Sequence, residues 1–120
     1  MRIVEWAKEI YNKYMGNHIE HLLLPEFVEE ERRYRIVFGG NVQGVGFRYE
    51  VWRIAEKLKV TGFAQNLANG NVLVEAQGNR DKLLYLIEYM SKLPRIYIDK
   101  VEIEEIEMQE EEEFLPIYNK

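Results

Sequence analysis

From residue 32 onward, the spacing of the apolar side chains predicts six elements in the order strand, helix, strand, strand, helix, strand. Alternation of apolar and polar residues predicts strands over residues 32–39, 60–67, 72–77 and 97–108. Spacings of three and four predict helices over residues 48–58 and 81–93. Asn69-Gly70 lies between the second and third strands and is a strong β-hairpin signal. A short edge strand over residues 114–118 completes the prediction.

This order of elements is typical of the ferredoxin-like βαββαβ sandwich, an α+β fold with two helices on one face of an antiparallel sheet. In that arrangement the first two strands run parallel, with the third strand antiparallel between them. The loop after the first strand, the start of the first helix and the neighbourhood of Asn66 are therefore predicted to converge at one edge of the sheet. A length of 120 residues suits one such domain, which we place over residues 31–120.

The last long predicted strand contains a change of phase. Val101 and Ile103 share one face, whereas Ile106 and Met108 continue the apolar set one residue out of step. A β-bulge near Glu104-Glu105 would account for the change, because a bulge inserts one extra residue into a strand.

Residues 1–30 precede the predicted domain as an N-terminal helical extension. Their apolar residues have helical spacing: Ile3, Ala7, Ile10, Tyr11 and Tyr14. This stripe requires a partner surface, and three remain open: the domain itself, a second copy of the chain in a homodimer, or another protein. His18 and His21 have the spacing of two metal ligands on one helix face, but no third ligand is evident, so we predict no metal site.

The composition excludes several classes of protein. The absence of cysteine excludes a disulfide framework, a thiolate zinc site and a cysteine nucleophile. No apolar run approaches the roughly 20 residues that a membrane-spanning helix needs. Acidic residues are scattered through the N-terminal segment, which is not typical of a secretory signal. We therefore expect a cytoplasmic protein that does not insert into a membrane.

The charge is distributed unevenly along the chain. Residues 31–100 contain twelve bases against seven acids, a local net charge of +5, although the whole chain carries −5. This favours an anion-binding domain with acidic flanks. A nucleic-acid-binding protein would usually be basic overall, so no nucleic-acid partner is expected. Within the acidic C-terminal flank, Glu110 to Glu113 predict a solvated loop.

A glycine-bearing loop joins the first predicted strand to the first predicted helix. It reads Gly39-Gly40-Asn41-Val42-Gln43-Gly44-Val45-Gly46-Phe47-Arg48. Successive backbone N–H groups in such a loop can converge on an anion, and the start of a helix adds further donors. Arg48 adds a planar set of donors that suits phosphate oxygens. By itself the pattern is weak evidence and favours a tight strand-to-helix turn with a surface arginine over a phosphate site.

Two segments of the domain resemble the motifs of the acylphosphatase family. Val42-Gln43-Gly44-Val45-Gly46-Phe47-Arg48 resembles the family signature, and Gly62-Phe63-Ala64-Gln65-Asn66 follows at the right distance. The resemblance covers about residues 32–108. It implies the ferredoxin-like fold and an enzyme, acylphosphatase, that hydrolyses small acyl phosphates to a carboxylate and inorganic phosphate. It implies neither a cofactor nor a metal.

The resemblance also assigns roles to particular residues. Arg48 matches the family arginine that binds the phosphate, and Asn66 matches the asparagine that orients the attacking water. Further phosphate binding is expected from the backbone N–H groups of Val42, Gln43, Gly44, Val45, Gly46 and Phe47. Two positions depart from the family pattern: Gln65 stands where a basic residue is common, and Asn69 where aspartate is frequent. Neither is one of the two catalytic positions.

Two other functions remain open beside hydrolysis. The same fold could bind a phosphate-bearing ligand or protein partner without turnover, since fold does not determine function. The second alternative is a carrier or transfer role on carbamoyl phosphate, as in the acylphosphatase-like domain of hydrogenase maturation carbamoyltransferases. The presence of both Arg48 and Asn66 favours the hydrolase, because a binding module has no need of an amide that orients water.

Overall fold

The fold consists of five strands and two helices in a computed structural model, which describes residues 30–117. The elements are β1 (Arg32–Asn41), α1 (Phe47–Leu58), β2 (Thr61–Asn66), β3 (Val72–Gly78), α2 (Arg80–Ser91), β4 (Tyr97–Ile106) and β5 (Phe114–Ile117). Every element predicted within the described residues is present, and its ends differ from the prediction by no more than two residues. The predicted N-terminal helix and Tyr118 lie outside the described residues.

The strands form one sheet in the order β4-β1-β3-β2-β5. β3 lies antiparallel between β1 and β2, and β4 is antiparallel to β1. These four strands and the two helices make the predicted ferredoxin-like α+β fold. β5 pairs in parallel with β2, so the complete sheet is mixed and not purely antiparallel.

The core lies between the two helices and one face of the sheet. In β1 and β3 the core residues pair across the strands: Tyr34 with Ala76, Ile36 with Val74, and Phe38 with Val72. The helices contribute residues at helical spacing: Val51, Ile54 and Ala55 from α1, and Leu83, Leu86, Ile87 and Met90 from α2. Each helix has 12 residues, and no helix among residues 30–117 is long and apolar enough to cross a membrane.

β4 contains an irregularity, but it does not lie where the sequence predicts it. The register with β1 shifts between Gly39 and Gly40, and Asp99 is the extra residue of β4 at that point. The bulge predicted near Glu104-Glu105 is wrong, because the pairing there is unbroken. The apolar pattern changes phase because Ile106 lies on the sheet face away from the helices.

That outer face carries a network of ion pairs. The Arg33 side chain is only 1% exposed, and its Nε lies 3.1 Å from Glu75 Oε1. Arg35 Nη2 lies 3.4 Å from the other oxygen of Glu75, and Arg35 Nη1 lies 3.1 Å from Glu104. A buried guanidinium requires such partners, because an uncompensated charge is costly to remove from water.

The connecting segment between β4 and β5, residues 107–113, contacts Arg33. Glu111 of this segment forms an ion pair with Arg33 Nη1. The segment is also held by Gln77, whose Nε2 donates to Gln109 O at 2.9 Å and whose Oε1 accepts from Gln109 N at 2.9 Å. The acidic run predicted as a solvated loop therefore includes a partly buried residue with a structural contact.

Gly62 is a position at which the sheet admits no side chain. A Cβ there would lie 1.9 Å from Glu75 O, and φ is +139°. We expect Gly62→Ala to lower the free energy of unfolding by more than about 3 kcal/mol, because the clash of the new Cβ with Glu75 O and the strain of a positive φ both destabilise the folded state. Gly70→Ala is the matched control: φ is +95° but the surrounding space is open, so only the backbone cost of about 1–2 kcal/mol applies. Equal losses in denaturant unfolding would contradict the steric explanation.

Candidate active site

The register of the sheet brings the end of β2 level with the end of β1, on the other side of β3. Phe38 of β1 pairs with Val72 of β3, and Val72 pairs with Asn66 of β2. The three residues form one row across the sheet and share the face toward the helices, because directly paired residues point to the same side. The predicted convergence of the loop after β1 with Asn66 is confirmed.

The loop between β1 and α1 is anchored at both ends. Val42 is only 1% exposed, and the ring of Phe47 packs against Phe38 with 5.0 Å between the ring centroids. Between these anchors the chain turns through Gly44 and Gly46, whose φ angles of +73° and +83° lie in the left-handed region. Side chains disfavour that region, so both positions favour glycine.

The start of α1 adds backbone donors next to this loop. Glu50 N donates to Gly46 O at 3.0 Å, which is the first hydrogen bond of the helix. The N–H groups of Phe47, Arg48 and Tyr49 precede it and therefore have no acceptor within the helix. The helix dipole is positive at this end, so the first turn of α1 favours an anion.

A cavity of about 90 Å³ lies between the loop, the first turn of α1 and the end of β2. Its walls are formed by Val42, Gly44, Gly46, Phe47, Arg48, Tyr49 and Asn66. Pockets for drug-sized ligands are typically about 300–1,000 Å³, so this cavity suits a small group such as a phosphoryl group.

The cavity brings together most of the residues that the sequence predicts. Arg48 and Asn66 both line it, as do four of the six loop residues expected to bind phosphate through their N–H groups. The remaining two, Gln43 and Val45, belong to the loop but not to the walls; Val45 packs against the core. Tyr49 lines the cavity without having been predicted.

Comparison with known proteins identifies the family. A family model described as Acylphosphatase matches residues 34–115. This chain belongs to the acylphosphatase family. An acylphosphatase of Methanospirillum hungatei is 36% identical over 81 residues, which are 68% of this chain and 86% of that protein. An acylphosphatase of Ligilactobacillus salivarius is 34% identical over 92 residues, with 72% of this chain and 99% of that protein covered.

A solved structure supports the same assignment. The structure of an acylphosphatase from Coxiella burnetii superimposes with a TM-score of 0.68 at 32% sequence identity. The match covers 78% of this chain and 100% of that one. Residues 1–30 of the present acylphosphatase-family chain precede the region matched by the family model.

In this acylphosphatase-family domain, Arg48 is supported by β5. Its Nη1 donates to Ile117 O at 2.8 Å. Ile117 is fixed in turn, because it pairs with Gln65 of β2 and because Phe114, at the start of β5, is only 1% exposed. A guanidinium has five N–H donors, so binding a carbonyl and binding an oxyanion are compatible. The sequence contains no signal for this contact, since every residue has a carbonyl group.

Removing the Ile117 carbonyl should weaken phosphate binding without removing Arg48. In a chain that ends at Pro116, the guanidinium loses this acceptor and must be ordered by the ligand, which costs about 0.5–1.5 kcal/mol for a long side chain. We expect the dissociation constant of inorganic phosphate to rise about three- to tenfold in titration calorimetry. A chain that ends at Tyr118 keeps the Ile117 peptide carbonyl and should bind as the full chain does. Equal weakening in both chains would contradict a role for that carbonyl.

Proposed function

We propose that this chain hydrolyses the carboxyl–phosphate bond of small acyl phosphates at the cavity, with Arg48 binding the phosphate and Asn66 orienting the water. Membership of the acylphosphatase family supports the activity. The observation that carries the assignment of roles is that Arg48 and Asn66 line the same small cavity, together with the glycine loop.

The phosphoryl group is the part of the substrate that fits the cavity. The guanidinium of Arg48 and the backbone N–H groups of the loop and first helical turn neutralise its oxygens. As the transition state forms, charge develops on the equatorial oxygens, so donors fixed around them lower the barrier by electrostatic stabilisation. Because the donors are held by the fold, they need little reorganisation when the transition state forms.

Asn66 acts on the attacking water. Its side-chain oxygen accepts a hydrogen bond from the water, which directs the water oxygen toward phosphorus. The amide cannot serve as a general base at neutral pH. The water oxygen forms the new bond to phosphorus, the bond from phosphorus to the acyl oxygen breaks, and the proton of the water passes to a phosphate oxygen. The leaving group is a carboxylate, whose conjugate acid has a pKa near 4, so it departs without a protein acid.

The acyl group has less contact with the protein. A cavity of about 90 Å³ is filled by the phosphoryl group, which leaves the acyl part at its mouth. Tyr49 lines the cavity and is half exposed, and its ring lies 5.8 Å from that of Trp52. We therefore propose weak selection among small acyl groups.

Other properties of the chain remain predictions. These are the division into an extension over residues 1–30 and a domain over residues 31–120, the partner of the extension, and the cytoplasmic location. Gel filtration of the full chain against a chain starting at Glu31 would decide whether the extension mediates a homodimer.

Benzoyl phosphate hydrolysis, followed by absorbance in the presence of EDTA, tests the proposed function. We expect turnover by the wild type, and a loss of about a hundred- to thousandfold in both Arg48→Ala and Asn66→Ala, which is typical when one stabilising donor is removed. Arg32→Ala is the matched control, because Arg32 is exposed at the far end of β1 from the loop; its turnover should be unchanged.

The benzoyl phosphate experiment can contradict either the residue roles or the activity. If a folded Arg48→Ala or Asn66→Ala variant kept most of the wild-type turnover, the assigned role of that residue would be wrong. If the folded wild type bound phosphate without turnover, the site would be a non-catalytic module for a phosphate-bearing ligand or protein partner.

A further inference from the structure

We infer that the side chain of Gln43 is a positioning residue, which sets the phosphate loop against Asn66 by clamping the turn between β2 and β3. The inference rests on the proposed function, because it assigns Gln43 an effect that acts through Asn66. It concerns the side chain of Gln43, separately from any phosphate contact of its backbone N–H group.

The clamp consists of two hydrogen bonds from one amide group. Gln43 Nε2 donates to Leu67 O at 2.7 Å and to Asn71 O at 2.8 Å. These carbonyls stand at the two ends of the β2–β3 turn, which is closed by a hydrogen bond of 2.8 Å from Leu67 N to Asn71 O. Leu67 directly follows Asn66 in the chain. The amide therefore holds the backbone next to the water-orienting residue.

The chemistry of the contact requires a donor at this position. Both partners are backbone carbonyl oxygens, which only accept hydrogen bonds, so the nitrogen and not the oxygen of the Gln43 amide must face them. The two hydrogens of one NH₂ group match the two carbonyls. A carboxylate of the same shape would be repelled by both oxygens, and a thioether would leave both contacts unmade.

The side chain of Gln43 is directed to the β2–β3 turn and does not line the cavity. Its neighbours Val42 and Gly44 line the cavity, whereas Gln43 does not. The loop thus turns one set of atoms toward the phosphate site and directs the Gln43 side chain to the β2–β3 turn. If substitution of Gln43 lowers activity, it must therefore do so by moving other groups of the site.

Within residues 30–117, the loop and Asn66 are also linked through the sheet, and Arg48 is linked to β2 through its hydrogen bond with Ile117 of β5. The loop follows β1, Asn66 ends β2, and β3 lies between these two strands. In-line attack requires that the bound phosphoryl group and the oriented water keep a set separation, and a displacement of about 1 Å can cost a hundredfold in rate. Gln43 provides a direct side-chain connection between the loop and the β2–β3 turn, in addition to the sheet.

The first test is Gln43→Met, which keeps the length of the side chain and removes both donors. We expect kcat for benzoyl phosphate to fall about ten- to a hundredfold, because the water is misplaced. The dissociation constant of inorganic phosphate should change by less than about threefold, because Arg48 and the loop donors remain. Gln43→Glu should lose at least as much turnover. Conversely, a kcat near that of the wild type, or a loss confined to phosphate binding, would overturn the inference.

A double-mutant cycle with Asn66 separates positioning from a general structural effect. Once Asn66→Ala has removed the group being positioned, adding Gln43→Met should lower the single-turnover rate by less than about threefold. A further loss as large as in the wild-type background would overturn the inference while leaving the role of Asn66 intact. If Asn66→Ala alone left turnover unchanged, the proposed function of Asn66 would itself fail.

Gln77→Met is the matched control for stability. Gln77 also uses its amide to hold a backbone segment, through two hydrogen bonds of 2.9 Å to Gln109 in the connecting segment. It lies at the end of β3 remote from Val72 and the cavity. Gln77→Met should lose at least as much stability as Gln43→Met in denaturant unfolding, because it also removes an acceptor of the buried Arg33, but only Gln43→Met should lose kcat. An equal loss of kcat in both variants would show that turnover follows stability, and would refute positioning by Gln43.

Discussion

The antiparallel strand β3 between β1 and β2 is the constraint on which the site depends. Its register places Phe38, Val72 and Asn66 in one row across the sheet. The loop that leaves β1 and the last residue of β2 consequently meet at the same end of the strands. α1 begins at this end of the strands, and residues of its first turn line the cavity. Without this pairing, the glycine loop and Asn66 would be two unrelated surface features.

Next to the cavity, two side chains donate hydrogen bonds to backbone carbonyls of other elements. Arg48 is held by the carbonyl of Ile117, and the turn after Asn66 is held by the amide of Gln43. Such support matters for a reaction with a good leaving group, in which fixed charge and orientation replace strong acid–base chemistry. Rigid placement also limits the entropy lost when substrate binds.

A continuous segment connects the outer face of the sheet with β5. Buried Arg33 is paired with Glu75 and with Glu111 of the connecting segment. That segment leads from β4 at one edge of the sheet to β5 at the other, where Ile117 meets Arg48. The acidic C-terminal flank thus has a structural function: its charges compensate arginines of the outer face, and it leads into β5, whose Ile117 accepts a hydrogen bond from Arg48.

The sequence by itself determined the order of elements and the core faces, because side-chain periodicity carries that information, and its local motifs pointed to Arg48 and Asn66, which line one cavity. It misplaced the irregularity of β4, since an apolar residue out of phase can belong to the opposite face as well as to a bulge. Only the tertiary structure decided which backbone groups meet these side chains. The Ile117 carbonyl lies 69 residues from Arg48, and the carbonyls that bind Gln43 lie 24 and 28 residues away. Every residue has a carbonyl, so no residue type marks the ones that the fold will use.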